Sequence, residues 1–489
     1  MPSPKEILKE YFDYDSFRGL QEEIIIRTIT EQKHSLVLMP TGSGKSLCYQ
    51  IPALLFDGGT IVISPLIALM QDQVDALRKK NIAAAFINST LSKKEREERL
   101  EKFLNGKIKL LYVTPERFRK SDFTAKIKNA NISLLAVDEA HCISEWGHDF
   151  RPDYSRIGEF RKLIGNPLTI ALTATATKEV QLDIVKKLGL KKDEMKIFHQ
   201  GIERPNLRLE AVDVIDEAEK FNEIKSVLDN YSGSGIIYFA LIQTLEKFSL
   251  MLRDKGYKHK IYHGKLPDKQ RKQMQRDFIN GKEDLILATN AFGMGIDKPD
   301  IRFVIHAEVP SSIESYYQEI GRAGRDGKDS LCKLLYSQQD LYIQMDFIKW
   351  SNPNADFYSA LYDLIKRDID VINSDGFEFL REQMNFKNRN DFRIETALGM
   401  LDRYGVTEGS IENHNLNIID KLPIELEDET RLNEKLLSDN KKLLSVVNYF
   451  RSEDCKRVFI SDYFGFKDEK PCHNCDNCSL NFKKNILDN

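Results

Sequence analysis

Apolar residues in the first part of the chain form short continuous runs, and stretches with helical apolar spacing lie between these runs. Continuous runs are typical of strands buried on both faces, and their alternation with helices is typical of a parallel α/β sheet. The pattern predicts a first such sheet from strand-containing segments at 36–38, 61–74, 110–118, 134–141 and 168–180. It predicts a second sheet from segments at 235–240, 260–264, 285–300, 302–306 and 332–336.

Three other stretches show a different pattern. Residues 1–33 are expected to be helical, with Phe12 and Phe17 among the apolar anchors. Between residues 201 and 234 the apolar runs thin out, which predicts a hinge between two lobes. Beyond residue 341 we expect helices, and a helical spacer with no DNA role is the alternative for this region. The predicted elements there are helices at 357–366, 376–384 and 393–404, then a two-stranded wing at 406–419.

Residues 39–46 read Met-Pro-Thr-Gly-Ser-Gly-Lys-Ser and lie between a predicted strand and a predicted helix. In that order the glycines let backbone N–H groups turn towards a phosphate, the lysine reaches the outer phosphates and the serine holds Mg²⁺. The sequence therefore predicts a nucleoside triphosphate site, with a chance glycine-rich turn as the alternative. Met39 is a departure, because the usual P-loop begins with glycine. The residues expected to contact ATP here are Thr41, Gly42, Ser43, Gly44, Lys45 and Ser46, with Ser46 also a ligand of Mg²⁺.

The apolar run at 134–137 ends abruptly in Asp138, Glu139 and, two positions later, His141. Asp138 is expected to bind Mg²⁺, and Glu139 is expected to orient or deprotonate the attacking water. The alternative is that the two acids only cap a helix. The P-loop argues against this alternative, because a triphosphate site needs an acidic partner of this kind.

Phe17, Arg18 and Gln21 lie upstream of the P-loop strand and are predicted to contact the nucleotide. A glutamine carries a donor and an acceptor, so Gln21 can contact the N6 and N7 edge of adenine. A solvated helix residue is the alternative for Gln21.

An aromatic segment follows the two acids directly. It contains Trp146, His148, Phe150, Arg151 and Tyr154 within nine residues. Aromatic rings can stack on bases, and arginine and histidine can hold phosphates. The segment is therefore predicted to couple DNA binding to hydrolysis, with a loop packed in the core as the alternative. The predicted DNA contacts are Trp146, His148, Phe150 and Arg151.

In the second predicted sheet, Gln318, Arg322 and Arg325 have spacings of four and three residues, which predicts one face of a helix. Arginines that a second lobe brings to a triphosphate can stabilise charge on the γ-phosphate. A solvated basic face is the alternative. The predicted catalytic residues are Lys45, Asp138, Glu139, Arg322 and Arg325.

Composition narrows the possible classes of protein. The chain has 489 residues with 41% hydrophobic content, which is enough for several cores. Its net charge of −3 means that any contact with nucleic acid must come from local patches. We expect no membrane segment, because no apolar stretch of spanning length or signal-type start is present. Cys472, Cys475 and Cys478 are packed so closely that metal ligation is expected.

The motifs between about residues 10 and 340 together resemble the RecQ family of superfamily-two DNA helicases. They read FRGLQ, MPTGSGKS, SPLIALMQDQV, DEAH, WGHDFRPDY, ALTATAT, ATNAFGMGIDKP and QEIGRAGRDG. The DEAH motif alone would also suit RNA helicases, whereas the aromatic loop after it is similar to the RecQ sensor of single-stranded DNA. The resemblance implies ATP-dependent unwinding in recombination and repair, with 3′ to 5′ movement. It also implies nucleotide contacts by Asp297 and Gln318. A departure occurs at 241–243, where the family usually has a Ser-Arg pair.

The end of the chain resembles the zinc module of the same family. The resemblance adds Cys455, on a helix, to the three clustered cysteines and implies a closed structural Zn²⁺ site of four thiolates; a catalytic zinc would need an open position. The helices and wing before this module resemble a winged helix, an order similar to that of shorter RecQ-like bacterial proteins. Because eleven residues follow Cys478, we expect no HRDC domain.

The expected fold is α/β, with two RecA-like parallel-sheet lobes, a winged-helix-like α+β region and a small helical zinc module. The expected boundaries are 1–203, 204–340, 341–425 and 426–489. ATP, Mg²⁺ and Zn²⁺ are the expected cofactors, and single-stranded and forked DNA are the expected partners, in the cytoplasm or, in a bacterium, on the nucleoid. The rival functions are an ATP-binding DNA clamp without turnover, which would be expected to lose Glu139 or Arg325, and an RNA-directed helicase.

Overall fold

The first lobe is built on a seven-stranded parallel sheet with the strand order β3-β4-β2-β5-β6-β1-β7. The computed structural model describes residues 2–40, 42–65, 67–147, 151–199, 201, 204–293, 296–384, 391–466 and 470–479. The strands of the first sheet are β1 His34–Leu38, β2 Gly59–Ile63, β3 Ala84–Ile87, β4 Leu110–Val113, β5 Ile132–Val137, β6 Leu168–Thr173 and β7 Met195–His199. Strands β3 and β7 were not predicted.

Helices cover both faces of this sheet, so its central strands are buried on both sides, as their continuous apolar runs predict. Two of these helices begin with a capping box, in which Ser3 pairs with Glu6 and Ser92 with Glu95. A π-helical turn at Arg27–Glu31 and 3₁₀ turns at Pro115–Arg119 and Ala140–Ile143 complete the lobe. The helices are α1 Pro4–Phe12, α2 Gln21–Ile26, α3 Leu47–Leu55, α4 Ile67–Lys79, α5 Lys93–Leu104, α6 Ser121–Ile127, α7 Pro152–Ser155, α8 Ile157–Leu163 and α9 Lys178–Lys187.

The second lobe is a six-stranded parallel sheet with the order β10-β11-β9-β12-β13-β8. Its strands are β8 Leu207–Asp213, β9 Ser234–Tyr238, β10 Lys260–Tyr262, β11 Leu285–Ala288, β12 Ile301–His306 and β13 Ser330–Tyr336. Its helices are α10 Glu217–Asn230, α11 Ile242–Asp254, α12 Asp268–Ile279 and α13 Ile313–Ile320.

The predicted hinge at 201–234 was wrong for most of its length. Residues Leu207–Asp213 form the edge strand β8, which pairs with β13 along all seven of its residues. The amphipathic helix α10 then packs Phe221 and Ile224 into the second lobe. The strand was missed because an edge strand alternates buried and exposed residues, and so lacks a continuous apolar run.

The C-terminal region has a helical domain with a small wing and a helical module that carries the cysteines. Helix α15 has a kink at Asp368, and β14 pairs antiparallel with β15 to form the wing. The remaining elements are α14 Gln338–Ser351, α15 Ala355–Asp375, α16 Phe377–Met384, α17 Arg393–Arg403, β14 Thr407–Glu408, β15 Asn417–Ile418, α18 Ile424–Glu427, α19 Glu429–Arg451 and α20 Lys456–Tyr463.

The cysteine module shares one apolar core with the second lobe. Tyr449 of α19 and Phe464 after α20 pack with Tyr316 and Tyr317 of α13. The winged-helix-like region has a separate core of its own, formed mainly by α15, α16 and α17. The expected fold class is therefore confirmed, with two parallel-sheet lobes, a winged-helix-like region and a helical module with clustered cysteines.

Candidate functional site: a nucleotide cleft between two lobes

The P-loop follows β1, which lies between β6 and the edge strand β7 in the first sheet. Gly42 and Gly44 have φ angles of 83° and 78°, in the left-handed region where glycine alone is free of strain. These angles turn the loop back on itself before α3 begins at Leu47. Lys45 is mostly buried, and Ser46 occupies the position before the first residue of α3. The predicted contact Thr41 lies outside the described residues.

Gln21 packs directly against the P-loop. Its Nε2 donates to the carbonyl oxygens of Ser43 at 2.9 Å and Gly44 at 3.3 Å, and its Oε1 accepts from the backbone N–H of Arg18. A Cβ at Gly44 would lie 2.6 Å from that Nε2 and would displace the Gln21 side chain, and the φ of 78° at Gly44 would strain any other residue. Gln21 is only 2% exposed, and the alternative of a solvated helix residue is therefore wrong. Its contact with adenine stays a prediction, while Phe17 beside it packs against the core of the first lobe.

Asp138 and Glu139 follow β5, and β6 separates β5 from β1 in the sheet. The two acids therefore lie at the same edge of the sheet as the P-loop. Burial, and then the charge of Glu139, raise the pKa of Asp138 to about 6. Glu139 Oε1 lies 3.8 Å from Lys45 Nζ, so the acid and the P-loop lysine face each other. Glu139 precedes a 3₁₀ turn, but its side chain makes no capping hydrogen bond there, which argues against the helix-cap alternative.

His141 is the last residue of the acidic motif, which we define as residues 138–141, and it contacts the threonine-rich end of β6. Its Nδ1 lies 2.9 Å from Thr173 Oγ1, and the Thr173 hydroxyl donates to the carbonyl oxygen of Thr175 at 3.0 Å. The same Nδ1 lies 3.4 Å from Glu139 Oε2. Three consecutive sheet positions, β5, β6 and β1, thus contribute to one polar cluster.

The second lobe supplies an arginine to this cluster. A Cβ at Gly42 would lie 3.2 Å from Arg325 Cδ, so the Arg325 side chain rests on the P-loop. Its Nη1 donates to Asp297 Oδ1 and to the carbonyl oxygen of Ile296, both at 2.8 Å, while Nε is buried without a partner in the described part of the chain. Arg322 lies deeper and donates to the carbonyl oxygen of Gly293.

The prediction that Gln318, Arg322 and Arg325 share one helix face was wrong. Helix α13 ends at Ile320, and both arginines lie in the turns that follow it. After α13 the backbone N–H groups of Arg322 and Ala323 donate to the carbonyl oxygens three residues back, and Gly324, with a φ of 54°, then turns the chain before Arg325. The turn geometry lets Arg325 reach the P-loop while Arg322 stays inside the second lobe.

The aromatic segment is divided between core and surface. Tyr154 is fully buried in the first lobe, and its hydroxyl donates to the carbonyl oxygen of Asp138 at 3.4 Å. Trp146 is partly buried against the same core, and Arg151 Nη1 donates to the carbonyl oxygen of Pro65. His148 and Phe150 lie outside the described residues. The core alternative therefore holds for Tyr154, whereas the DNA contacts stay predictions.

The atypical segment at 241–243 begins α11, and sequence reasoning did not identify the side chain that supports it. Glu308 Oε2 accepts from the backbone N–H groups of Ala240 at 2.6 Å and Leu241 at 3.0 Å. A carboxylate from the end of β12 thus caps a helix whose own cap position, Leu241, has no side-chain acceptor. The signal was an acidic residue just past a buried strand. Glu308 also lines a cleft of about 660 Å³ that α14, α17, α19 and Gly147 complete.

Four cysteine thiols form a compact cluster in the C-terminal module. The sulfurs of Cys455, Cys472, Cys475 and Cys478 all lie within 4.8 Å of one another. Backbone N–H groups donate to three of these sulfurs, as a thiolate site requires. Cys455 lies immediately before α20 rather than on it. The four sulfurs fit a closed four-thiolate zinc site. A backbone β-bridge between Cys475 and Leu209 attaches this cysteine cluster to the edge strand β8.

Comparisons with known proteins agree with this architecture. Residues 18–182 match the DEAD/DEAH box helicase family, residues 219–327 the helicase conserved C-terminal domain and residues 418–479 the RecQ zinc-binding family. The structure of S. cerevisiae Dbp5 bound to RNA and ADP BeF3 aligns with a TM-score of 0.56 at 19% identity, covering 69% of this chain and 89% of that one. This likeness shows the fold alone. No helix in the described part of the chain is long and apolar enough to cross a membrane.

Two relatives from Bacillus subtilis (strain 168) are similar over most of the chain. One, the ATP-dependent DNA helicase RecQ, is 39% identical over 477 residues, which are 97% of this chain and 66% of that protein. The other, the probable ATP-dependent DNA helicase RecS, is 41% identical over 359 residues, which are 73% of this chain and 71% of that protein. The chain thus spans about two thirds of the RecQ relative. Together with the two parallel-sheet lobes and the cysteine cluster, this similarity shows that the chain belongs to the RecQ family of DNA helicases.

Proposed function

We propose that the protein is a DNA helicase that hydrolyses ATP in the cleft between its two lobes. The observation that carries this proposal is the position of Arg325, which comes from the second lobe and rests on Gly42 of the P-loop in the first. A cation in that place can stabilise the charge that develops on the γ-phosphate. Because Arg325 comes from another lobe, closure of the cleft would complete the site.

The residues of the first lobe have distinct roles in this proposal. Backbone N–H groups of the P-loop and Lys45 bind the phosphates of ATP. Lys45 would then exchange its contact with Glu139 for one with phosphate, which frees the carboxylate to orient the attacking water. The contact between His141 and Thr173 holds the acidic motif against the end of β6.

Ser46 and Asp138 are the residues that would hold Mg²⁺. A hydroxyl and a carboxylate are oxygen ligands of the kind that Mg²⁺ binds. Burial raises the pKa of Asp138 because a buried negative charge is unfavourable, and a bound cation would offset that unfavourable free energy. Magnesium would supply neutralisation of charge on the outer phosphates. Gln21 contacts the backbone of the P-loop, so a contact between Gln21 and adenine would link the binding of the base to the position of the P-loop.

Single-stranded DNA is the proposed polymer. Trp146 lies seven positions beyond Glu139 in the chain, Arg151 Nη1 donates to the carbonyl oxygen of Pro65, and the cleft beside Gly147 carries Lys442 and Arg403 on its walls. Stacking and phosphate contacts of this kind suit a single strand. We propose 3′ to 5′ movement and unwinding of forked duplexes in recombination or repair, in the cytoplasm, on the basis of the family. The zinc site would stabilise the fold, and the predicted domain boundaries serve as the proposed units.

The test is the rate of ATP turnover without polymer, with single-stranded DNA and with single-stranded RNA. We expect DNA to stimulate turnover and RNA to do so much less. Arg325→Ala should lower the DNA-stimulated rate by about 10³-fold while changing ATP affinity little, because the arginine acts on the transition state. Arg253→Ala, an exposed arginine of the same lobe, is the matched control.

Two outcomes would contradict the proposal. Tight ATP binding without turnover at any DNA concentration would indicate a DNA clamp. Equal stimulation by RNA would indicate an RNA-directed enzyme.

A further inference from the structure

The C-terminal helix α19 contacts the start of the aromatic segment. Arg431 approaches Glu145 Oε2 with Nε at 2.8 Å and Nη2 at 2.6 Å, and Lys187 Nζ lies 3.2 Å from the other carboxylate oxygen. Burial raises the pKa of Glu145, but the hydrogen bonds and charges of Arg431 and Lys187 outweigh it and hold that pKa below its usual value. Both oxygens of Glu145, the residue next to Trp146, are therefore paired.

A second residue of α19 contacts the same segment two positions further on. Lys442 Nζ donates to the carbonyl oxygen of Gly147 at 3.1 Å. Gly147 is itself packed on the acidic motif, because a Cβ there would lie only 2.5 Å from the carbonyl oxygen of His141. A movement of Lys442 that displaces Gly147 would therefore also displace the backbone of His141, whose side chain contacts Thr173.

The far end of the aromatic segment is held in a similar way. Asp153, in α7, pairs with Arg119 at 2.8 Å, and Arg119 Nη1 donates to the carbonyl oxygen of Asp402 at the end of α17. Tyr404, just beyond α17, accepts a hydrogen bond from Arg431. The winged-helix-like region and α19 thus meet at the two ends of one short segment of the first lobe.

Helix α19 also reaches the second lobe. It has 23 residues, which corresponds to about 34 Å. At its C-terminal end Tyr449 packs against Tyr316 of α13, with their ring centroids 5.3 Å apart and their planes tilted by 50°. Near its middle Asp439 pairs with both Lys435 and Lys442, which fixes the direction of Lys442. One rigid helix therefore spans from the core of the second lobe to the aromatic segment of the first.

We propose that α19 is a strut that positions the aromatic segment for coupling, with Arg431 and Lys442 as positioning residues. This inference rests on the proposed function, since coupling presupposes DNA-stimulated hydrolysis. Because Tyr449 packs against Tyr316, α19 follows the second lobe when that lobe moves relative to the first. This movement of α19 displaces Glu145 and Gly147. Their displacement reaches the acidic motif through the backbone contact between Gly147 and His141.

An incidental surface ion pair is the alternative, because exposed pairs contribute little. The burial argues against it, since Glu145 and Arg431 side chains are only 20% and 26% exposed. The two residues are also 286 positions apart in the chain, so their contact brings together two separately folded regions.

The experiment compares Glu145→Gln, Arg431→Gln and the double variant in a Trp350→Phe parent. The chain has only two tryptophans, so this parent leaves Trp146 as the sole reporter beside Glu145. The measurements are basal turnover, the DNA concentration for half-maximal stimulation, Trp146 emission and the melting temperature. Lys441→Gln, an exposed residue of the same helix, is the matched control.

We expect Arg431→Gln to keep basal turnover within about twofold and to raise the half-maximal DNA concentration about tenfold, a typical size for the coupling between two sites. Trp146 emission should shift to longer wavelength because the segment loses its restraint. The effects of the two single changes should be less than additive in the double variant, because both remove the contact between Glu145 and Arg431. The control should match the parent in each measurement.

The inference is overturned if Arg431→Gln has parent-like DNA dependence and emission, or if the two single effects add in the double variant. A fall in melting temperature with unchanged DNA dependence would likewise overturn it, since the contact would then serve stability alone. A parent without DNA-stimulated turnover would contradict the proposed function instead, and the emission would still test the contact.

Discussion

Replacing Glu139 by glutamine separates ATP binding from hydrolysis. The carboxylate lies 3.8 Å from Lys45 Nζ, and the two side chains are 18% and 12% exposed. Coulomb's law gives about 1 kcal/mol for such a pair at the dielectric constant of water and about 4 kcal/mol at an effective value of 20. Lys45 must give up much of this attraction to bind phosphate. Glu139→Gln removes the competition and also removes a negative charge near the γ-phosphate.

We therefore expect ATP affinity to stay the same or rise by up to about fivefold, which is about 1 kcal/mol. Turnover should fall by about 10²-fold or more, the scale of a lost general base. Equilibrium binding of a fluorescent ATP analogue and steady-state turnover measure the two effects, and Glu159→Gln, an exposed acid of α8, is the control. Turnover within a few-fold of the wild type, or a tenfold loss of ATP affinity, would refute the assigned role.

Two other substitutions test separate parts of the molecule. Cys475→Ala should release zinc and give poorly soluble protein with a lower melting temperature, because structural zinc contributes about 10–16 kcal/mol in small peptides; full metal content with normal thermal stability would argue against a structural site. Trp146→Ala should weaken DNA binding by about 1–3 kcal/mol and flatten the stimulation of turnover even at saturating DNA. Because Trp146 also packs against the core of the first lobe, the melting temperature of the variant must be measured on the same preparation. A stable variant whose turnover DNA still stimulates fully would contradict the coupling role of Trp146.

Local motifs made the chemistry of the two main sites predictable. The P-loop and the cysteine cluster depend on residues close in sequence, and their backbone geometry follows from residue type, as with the left-handed Gly42 and Gly44. The alternation of apolar runs also predicted both sheets, because strands buried on both faces have no polar side. Strand β8 was missed for the opposite reason, since its alternating residues lie at the edge of its sheet.

Contacts between distant parts of the chain could not be predicted in this way. Spacing placed Arg322 and Arg325 on one helix face, but a glycine turn separates their directions, and only the packed lobes show Arg325 on the P-loop. Tyr154 belongs to the aromatic segment by its position in the chain, yet its side chain packs in the core of the first lobe. The pairing of Arg431 with Glu145 joins residues with no sequence relation, because tertiary packing alone brings them together.

Strand displacement on tailed duplexes tests the central claim most directly, namely that ATP hydrolysis between the lobes drives movement along one DNA strand. The substrates are duplexes of equal length with a single-stranded tail at either the 3′ or the 5′ end, with ATP or without it. The account predicts ATP-dependent displacement with the 3′ tail and little with the 5′ tail. Displacement with only the 5′ tail would contradict the proposed direction, and DNA-stimulated turnover without displacement of either substrate would contradict the claim itself.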